Sequence, residues 1–191
     1  NILDIFIMKK IFLYTFFLSI VFTKSNFDFN QNYTWGKKNV IDYDSLYSLS
    51  AVLIDEDKVP NSIQILNRII SNSKDKALIL NSYYDLGQIF LSRYSDYDEA
   101  IKYFNLILDN SFSYRIKNYS DIRLFPELKE KSLFMIAYIY HNHSGNLTQA
   151  QKYYNLFLKQ YPNSELNSSV SYELEIIDSL IQDFNKQIKN N

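Results

Sequence analysis

The sequence predicts an all-α protein built from three helical hairpins and a closing helix. Three observations predict it. Gly and Pro number only 3 each, against 17 Tyr and 14 Phe in 191 residues. A many-turned sandwich or barrel needs more turn residues than that. Apolar residues recur at i, i+3, i+4 and i+7 from Leu46 onward, the period of a helix with one buried face. One arrangement of stripe, polar turn, cap and small residue also occurs twice, around Ala100 and again fifty residues later around Ala150.

The length fits one domain with a substantial core, and a mean hydropathy of -0.25 is that of a water-exposed globular chain. A net charge of -1 supplies no global field toward nucleic acid or an acidic membrane. Cys is absent, which excludes disulfides, thiolate metal sites, Cys catalysis and lipid attached to Cys.

Residues 1–7 ("NILDIFI") fit no part of a targeting signal and read as an upstream extension or a misplaced start. From residue 8 the pattern changes. Met8-Lys9-Lys10 is a short basic start, Ile11 to Phe22 is an uncharged apolar run, and polar "TKSN" follows. That order is a secretory signal peptide over 8–25, with cleavage expected after Ser25. The alternatives are an uncleaved N-terminal anchor, although the run is shorter than the roughly 20 residues a membrane span needs, or a buried apolar helix. Residues 26–40 are polar with scattered aromatics and no period, and read as a linker. The repeat domain is expected over 41–188.

In the first hairpin, Leu46, Leu49, Ser50 and Leu53 make one stripe, "DEDKVPN" breaks it, and Ile63, Leu66, Ile69 and Ile70 make the next. In the second, Tyr83, Leu86, Gly87 and Phe90 precede Ala100, Phe104, Ile107 and Leu108. Asp96 and Glu99 have N-cap and N3 spacing, which predicts a capping box and a helix starting near Tyr97. In the third, Leu133, Ile136, Ala137 and Tyr140 precede Ala150, Tyr154, Phe157 and Leu158, with Asn146 and Gln149 as the cap pair. Pro162 ends that helix. The small residues Gly87, Ala100, Ala137 and Ala150 fall where two helices of a hairpin must approach. The turns of the second and third hairpins are one residue longer than the first. About Ser111 to Lys129 is an insertion between units. From Glu165 to Ile188, Leu166, Val170, Leu174, Ile177 and Leu180 form a stripe that predicts a cap for the last unit, and "KQIKNN" reads as a frayed polar end.

These residues resemble the tetratricopeptide repeat, whose pattern is an aromatic, Leu-Gly, an aromatic, then Ala, an aromatic, Ala and Pro. The likeness runs from about Tyr43 to Ile177. It departs at Ser50 and Ala137, which stand for Gly, at Ile107 and Phe157, which stand for the second Ala, and in unit spacings longer than the usual 34 residues. The third unit and its tail are similar to bacterial envelope repeat proteins of the BamD and YbgF type. The resemblance implies a right-handed superhelix, no catalysis, and work in envelope assembly or cell-wall maintenance.

No catalytic constellation accompanies the pattern. His141 and His143 are the only histidines, at a helix end where side chains two apart diverge, and no Cys or carboxylate pair completes a metal set. Ser71 to Lys74 matches S-x-x-K without the companion motifs of a β-lactamase-type enzyme. The sequons at Asn118 and Asn146 follow from composition. There is no phosphate loop and no basic stripe among the aromatics. The expectation is therefore no cofactor, no metal and no nucleic-acid partner. Membrane contact is expected only through an uncleaved N-terminal segment or through a partner.

In such arrays the first helix of each pair lines a concave groove. The position two before the Leu-Gly pair is aromatic in all three units: Tyr47, Tyr84 and Phe134. One turn on lie Ala51, Gln88 and Tyr138, and His141 follows. These seven residues are the candidate groove for a peptide or partner protein of the envelope. The same rings could instead pack between helices. An envelope hydrolase or a structural spacer are the alternative functions.

Overall fold

The computed structural model describes residues 41–109 and 119–190, without the side chains of 119–125 and 190. The upstream stretch, the signal or anchor, the linker and Asn118 lie outside the described residues. These form seven α-helices and no strand, so the all-α expectation is met. No described helix is long and apolar enough to cross a membrane.

The first hairpin joins α1 (Tyr43–Asp55) to α2 (Val59–Asn72). The second joins α3 (Lys76–Ile89), prolonged by a π-helical turn at Phe90–Tyr94, to α4 (Tyr97–Leu108). The third joins α5 (Tyr119–Asn142) to α6 (Leu147–Gln160), and α7 (Asn167–Asn190) follows. Each helix packs on the next in the chain, and the first helices also touch, α1 on α3 and α3 on α5.

Local chemistry explains the boundaries. Asp42 caps α1 by accepting from the Asp44 amide, and Asp75 caps α3 by accepting from Ala77 and Leu78. Pro60 lies in the first turn of α2, where its missing N–H would have had no helical partner. Each hairpin turns through one left-handed residue just before its second helix: Asp57 at φ 60°, Ser95 at φ 53° and Gly145 at φ 63°. The turns then close by one backbone bond. Lys58 N donates to Leu53 O at 2.7 Å in the first, Asp96 N to Phe90 O at 2.9 Å in the second, and Asn146 N to Tyr140 O at 2.9 Å in the third. The first bond spans five residues and the others six, which is the one-residue difference in turn length.

The second and third hairpins repeat the same caps and ring contacts at an offset of fifty, although only the second has a π-helical turn. Asp96 accepts from the Glu99 amide and Asn146 from the Gln149 amide, both at 3.1 Å. Phe90 stacks on Tyr103 at 5.5 Å and 14°, and Tyr140 on Tyr153 at 5.6 Å and 22°. Lys102 and Lys152 sit over those same tyrosines at 5.7 and 5.8 Å. Ala100, Ala150, Phe104 and Tyr154 are all fully buried. Burial of an aromatic side chain such as Phe104 stabilises by about 1.5–3 kcal/mol, and of each alanine methyl by under about 1 kcal/mol.

The core runs through the array. Val59, Leu66, Leu86 and Ile89 join the first hairpin to the second. Leu80, Ile107 and Leu128 carry it from α3 and α4 to α5. Leu133, Ala137, Tyr154 and Phe157 meet Val170 and Ile177 of α7, which caps the third hairpin.

Some expectations need correction. Leu49 is exposed rather than on the buried stripe of α1; Tyr47 and Ile54 pack into the core on that helix. Leu180 is likewise exposed, and Ile181 replaces it in the stripe of α7. A 3.6-residue period does not distinguish a stripe's edge from the residue one step outside it. The capping boxes are half formed. The Asp96 amide bonds to Phe90, and the Glu99 carboxylate reaches Lys102 at 2.8 Å instead of turning back. α7 stays helical through Lys186–Asn190 rather than fraying there. Residues 119–129, within the stretch read as an insertion, belong to α5, and Leu128 is a core residue.

Candidate partner-binding face

The three first helices α1, α3 and α5 lie side by side and carry all seven candidate residues. Tyr47 is half-buried and packs into the cluster that joins the first two hairpins, and its hydroxyl donates to the carboxylate of Asp85. Ala51 is exposed one turn further. Tyr84 is half-buried, 5.6 Å from Phe104 at a tilt of 59°, and its hydroxyl accepts from Gln88 Nε2 at 3.1 Å. Phe134 meets Tyr154 edge-on at 6.0 Å and Phe157 at 6.1 Å. Tyr138 meets His143 edge-on at 5.5 Å.

The aromatics at this register thus have two loads. Tyr84 on Phe104 and Phe134 on Tyr154 are the same contact fifty residues apart, and each ties the first helix of a hairpin to the second. Each also keeps part of its surface open. Gln88 and Tyr138, one turn on, are half-buried and lie outside the three core clusters described above.

The two histidines diverge to different neighbours. His143 stacks on Tyr97 of α4 at 4.5 Å and 17°. His141 Nδ1 lies 2.9 Å from Glu173 Oε2 of α7, with side chains only 10% and 17% exposed. That contact is close without being an aligned hydrogen bond, since Nδ1 has no well-directed partner. His141 also stands edge-on to Tyr154 at 6.4 Å. Among the described residues no three His, Cys, Asp or Glu side chains gather as metal ligands.

Two carboxylates of this region escaped the sequence reading. Glu173 raises the pKa of the Tyr154 hydroxyl, after burial as the larger cause. Asp85 sits between α1 and α3. Protein encloses it on most sides, which pushes its pKa up to about 6 against the lowering effect of Tyr47, yet an edge stays open to solvent. Both read as solvated faces in the sequence. The signal for Asp85 was its place directly between Tyr84 and the buried Leu86–Gly87 pair.

Residues 131–164 match the family model of the tetratricopeptide repeat. This stretch holds the main part of the third hairpin, from Lys131 in α5 to Ser164 beyond α6. No curated protein matches the chain. Tetratricopeptide repeats are non-catalytic and generally mediate protein–protein interaction.

Proposed function

We propose that this chain is a non-enzymatic interaction module of the bacterial cell envelope that holds a peptide or partner protein against the face of α1, α3 and α5. The observation that carries the reading is the run of half-open side chains on three adjacent helices, Tyr47, Tyr84, Gln88 and Tyr138. Aromatic rings offer large contact area at small entropic cost. A repeat array presents such a row as one extended surface. The envelope assignment is supported by the basic start and apolar run of 8–25 and by the likeness of the third unit to envelope repeat proteins.

The test uses Gln88→Ala with Tyr138→Ala, because both are half-buried and neither belongs to the core clusters described above. Pull-down from envelope extract with the full chain should lose the captured partner in the double variant, with helicity unchanged by circular dichroism. Equal capture by both proteins would retire this face. Fractionation with mass spectrometry checks export: a mature N-terminus near Asn26 outside the cytoplasm is expected, and an intact start in the cytoplasm opposes it.

A further inference from the structure

The second half of α7 carries a buried face out into solvent. Val170 and Ile177 are buried against the third hairpin, and Leu174 and Ile181 pack beside them. The same stripe goes on at Leu180, Phe184 and Ile188, at helical spacing from Ile177. These three side chains are 47%, 62% and 59% exposed. Every residue from Gln182 to Lys189 is exposed. Single apolar residues at a surface need no explanation, but a stripe in register with a core marks an interaction surface. A helical stretch this short also draws its stability from packing of its apolar face rather than from propensity.

The charges beside the stripe indicate what covers it. Asp178 and Lys189 are eleven residues apart, as are Ile177 and Ile188. Eleven residues are close to three whole turns, so each pair stacks within about 20° around the helix. Asp178 and Lys189 therefore share one flank of the stripe, the acid toward its start and the base toward its end. Two identical helices packed antiparallel about a two-fold axis bring like flanks together and reverse their direction. With the axis at Phe184, Leu180 of one copy meets Ile188 of the other, each four residues from the centre. Asp178, six residues before the axis, comes beside Lys189 of the other copy, five residues after it. Parallel packing would instead set acid against acid and base against base.

We propose that two copies of this chain associate through an antiparallel pair of α7 helices that cross at Phe184. The stripe covers itself, and the order of charge along its flank selects the direction. The contact uses a different helix from the face of α1, α3 and α5, so it stands or falls independently of that face. Three exposed apolar side chains per copy make a small contact, of the weak class among specific interfaces.

Sedimentation velocity on the full chain tests this, over about 5 to 500 µM as a weak contact requires. The sedimentation coefficient should rise with concentration toward that of a dimer. Phe184→Ser should remain monomeric over the same range. Lys189→Glu should weaken association by about threefold or more, and adding Asp178→Lys to it should restore association, because the pair is then rebuilt with its signs exchanged. Asp178 also accepts from Gln151 Nε2 of α6 at 2.6 Å, so the thermal midpoint of each dilute variant checks that the fold is kept. A native protein that stays monomeric throughout overturns the proposal, and so does a dimer that survives Phe184→Ser. A dimer indifferent to Lys189→Glu, or one that the double variant does not recover, overturns the antiparallel order. Flotation of the monomer with phosphatidylglycerol vesicles, lost in Phe184→Ser, would give the stripe to lipid instead.

Discussion

Gly87 lies directly under the ring of Phe104: a Cβ built on Gly87 would stand 2.7 Å from Cε1 and 2.8 Å from Cζ. The ring is fully buried and cannot swing into open space. Gly87→Ala gains about 1 kcal/mol of helix propensity. It also overpacks the α3–α4 contact, which typically costs about 1–3 kcal/mol. A net loss of about 1 kcal/mol is expected, read as a lower midpoint in a denaturant melt. A raised midpoint would mean that the second hairpin can open as the third has, where Ala137 stands at the same position.

Ala100 and Ala150 occupy the equivalent close approach in the second helices, and both are fully buried. Ala100→Leu or Ala150→Leu should cost about 1–3 kcal/mol, because the added methylenes have no void to enter. Unchanged thermal midpoints by circular dichroism would contradict the packing described for these hairpins.

Exchange between equivalent positions should stabilise in the opposite cases. Ser62 stands where the other hairpins carry Ala, with a buried hydroxyl that finds no partner in the protein. Ser62→Ala removes an unsatisfied group worth about 1 kcal/mol. Tyr154→Phe removes another unpartnered hydroxyl, at the position that Phe104 fills. Ser95→Gly relieves a left-handed residue at the position of Gly145, by roughly 1 kcal/mol. Each variant should raise the midpoint of a urea melt; a fall in any one would break the equivalence at that position.

Asp85 gives stability a pH dependence of defined sign. Its folded pKa of about 6 exceeds the unfolded value of 3.8, so the folded state holds the proton more tightly. Stability from this group is full below about pH 4, falls as pH rises toward 6, and is flat above. The loss is on the order of 1–3 kcal/mol, because one pKa unit is about 1.4 kcal/mol and the open edge screens part of it. Asp85→Asn should remove that slope and match or exceed the native protein at pH 7. Parallel slopes for the two proteins between pH 4 and 6 would assign the dependence elsewhere.

The hairpins were legible in the sequence because backbone chemistry and packing agreed there. Asp96, Ala100 and Phe104 repeat as Asn146, Ala150 and Tyr154, and a cap, a small residue and an aromatic at fixed spacing leave little choice of structure. The edges of stripes were not legible, as Leu49 and Leu180 show. Which of two neighbouring apolar residues faces inward depends on where the adjoining helix lies. Asp85 was hidden for a related reason. A single acid on a helix ordinarily points to water, and only the placement of α1 brings Tyr47 over it. Tyr84 and Phe134 stood out in the sequence as aromatics at one register. Their contacts with Phe104 and Tyr154 were not readable, since no local pattern says how far a ring is covered from the side.

The paired rings also equip the molecule with optical reporters of its own. Phe90 on Tyr103 and Tyr140 on Tyr153 are near-parallel and fixed by their hairpins. Immobilised, electronically coupled rings of this kind generate near-ultraviolet circular dichroism. The one tryptophan of the sequence, Trp35, lies outside the helices described. Tyrosine bands should therefore follow the closing of each hairpin, and replacing Tyr103 or Tyr153 by Leu would remove the stacked-pair contribution of one hairpin at a time.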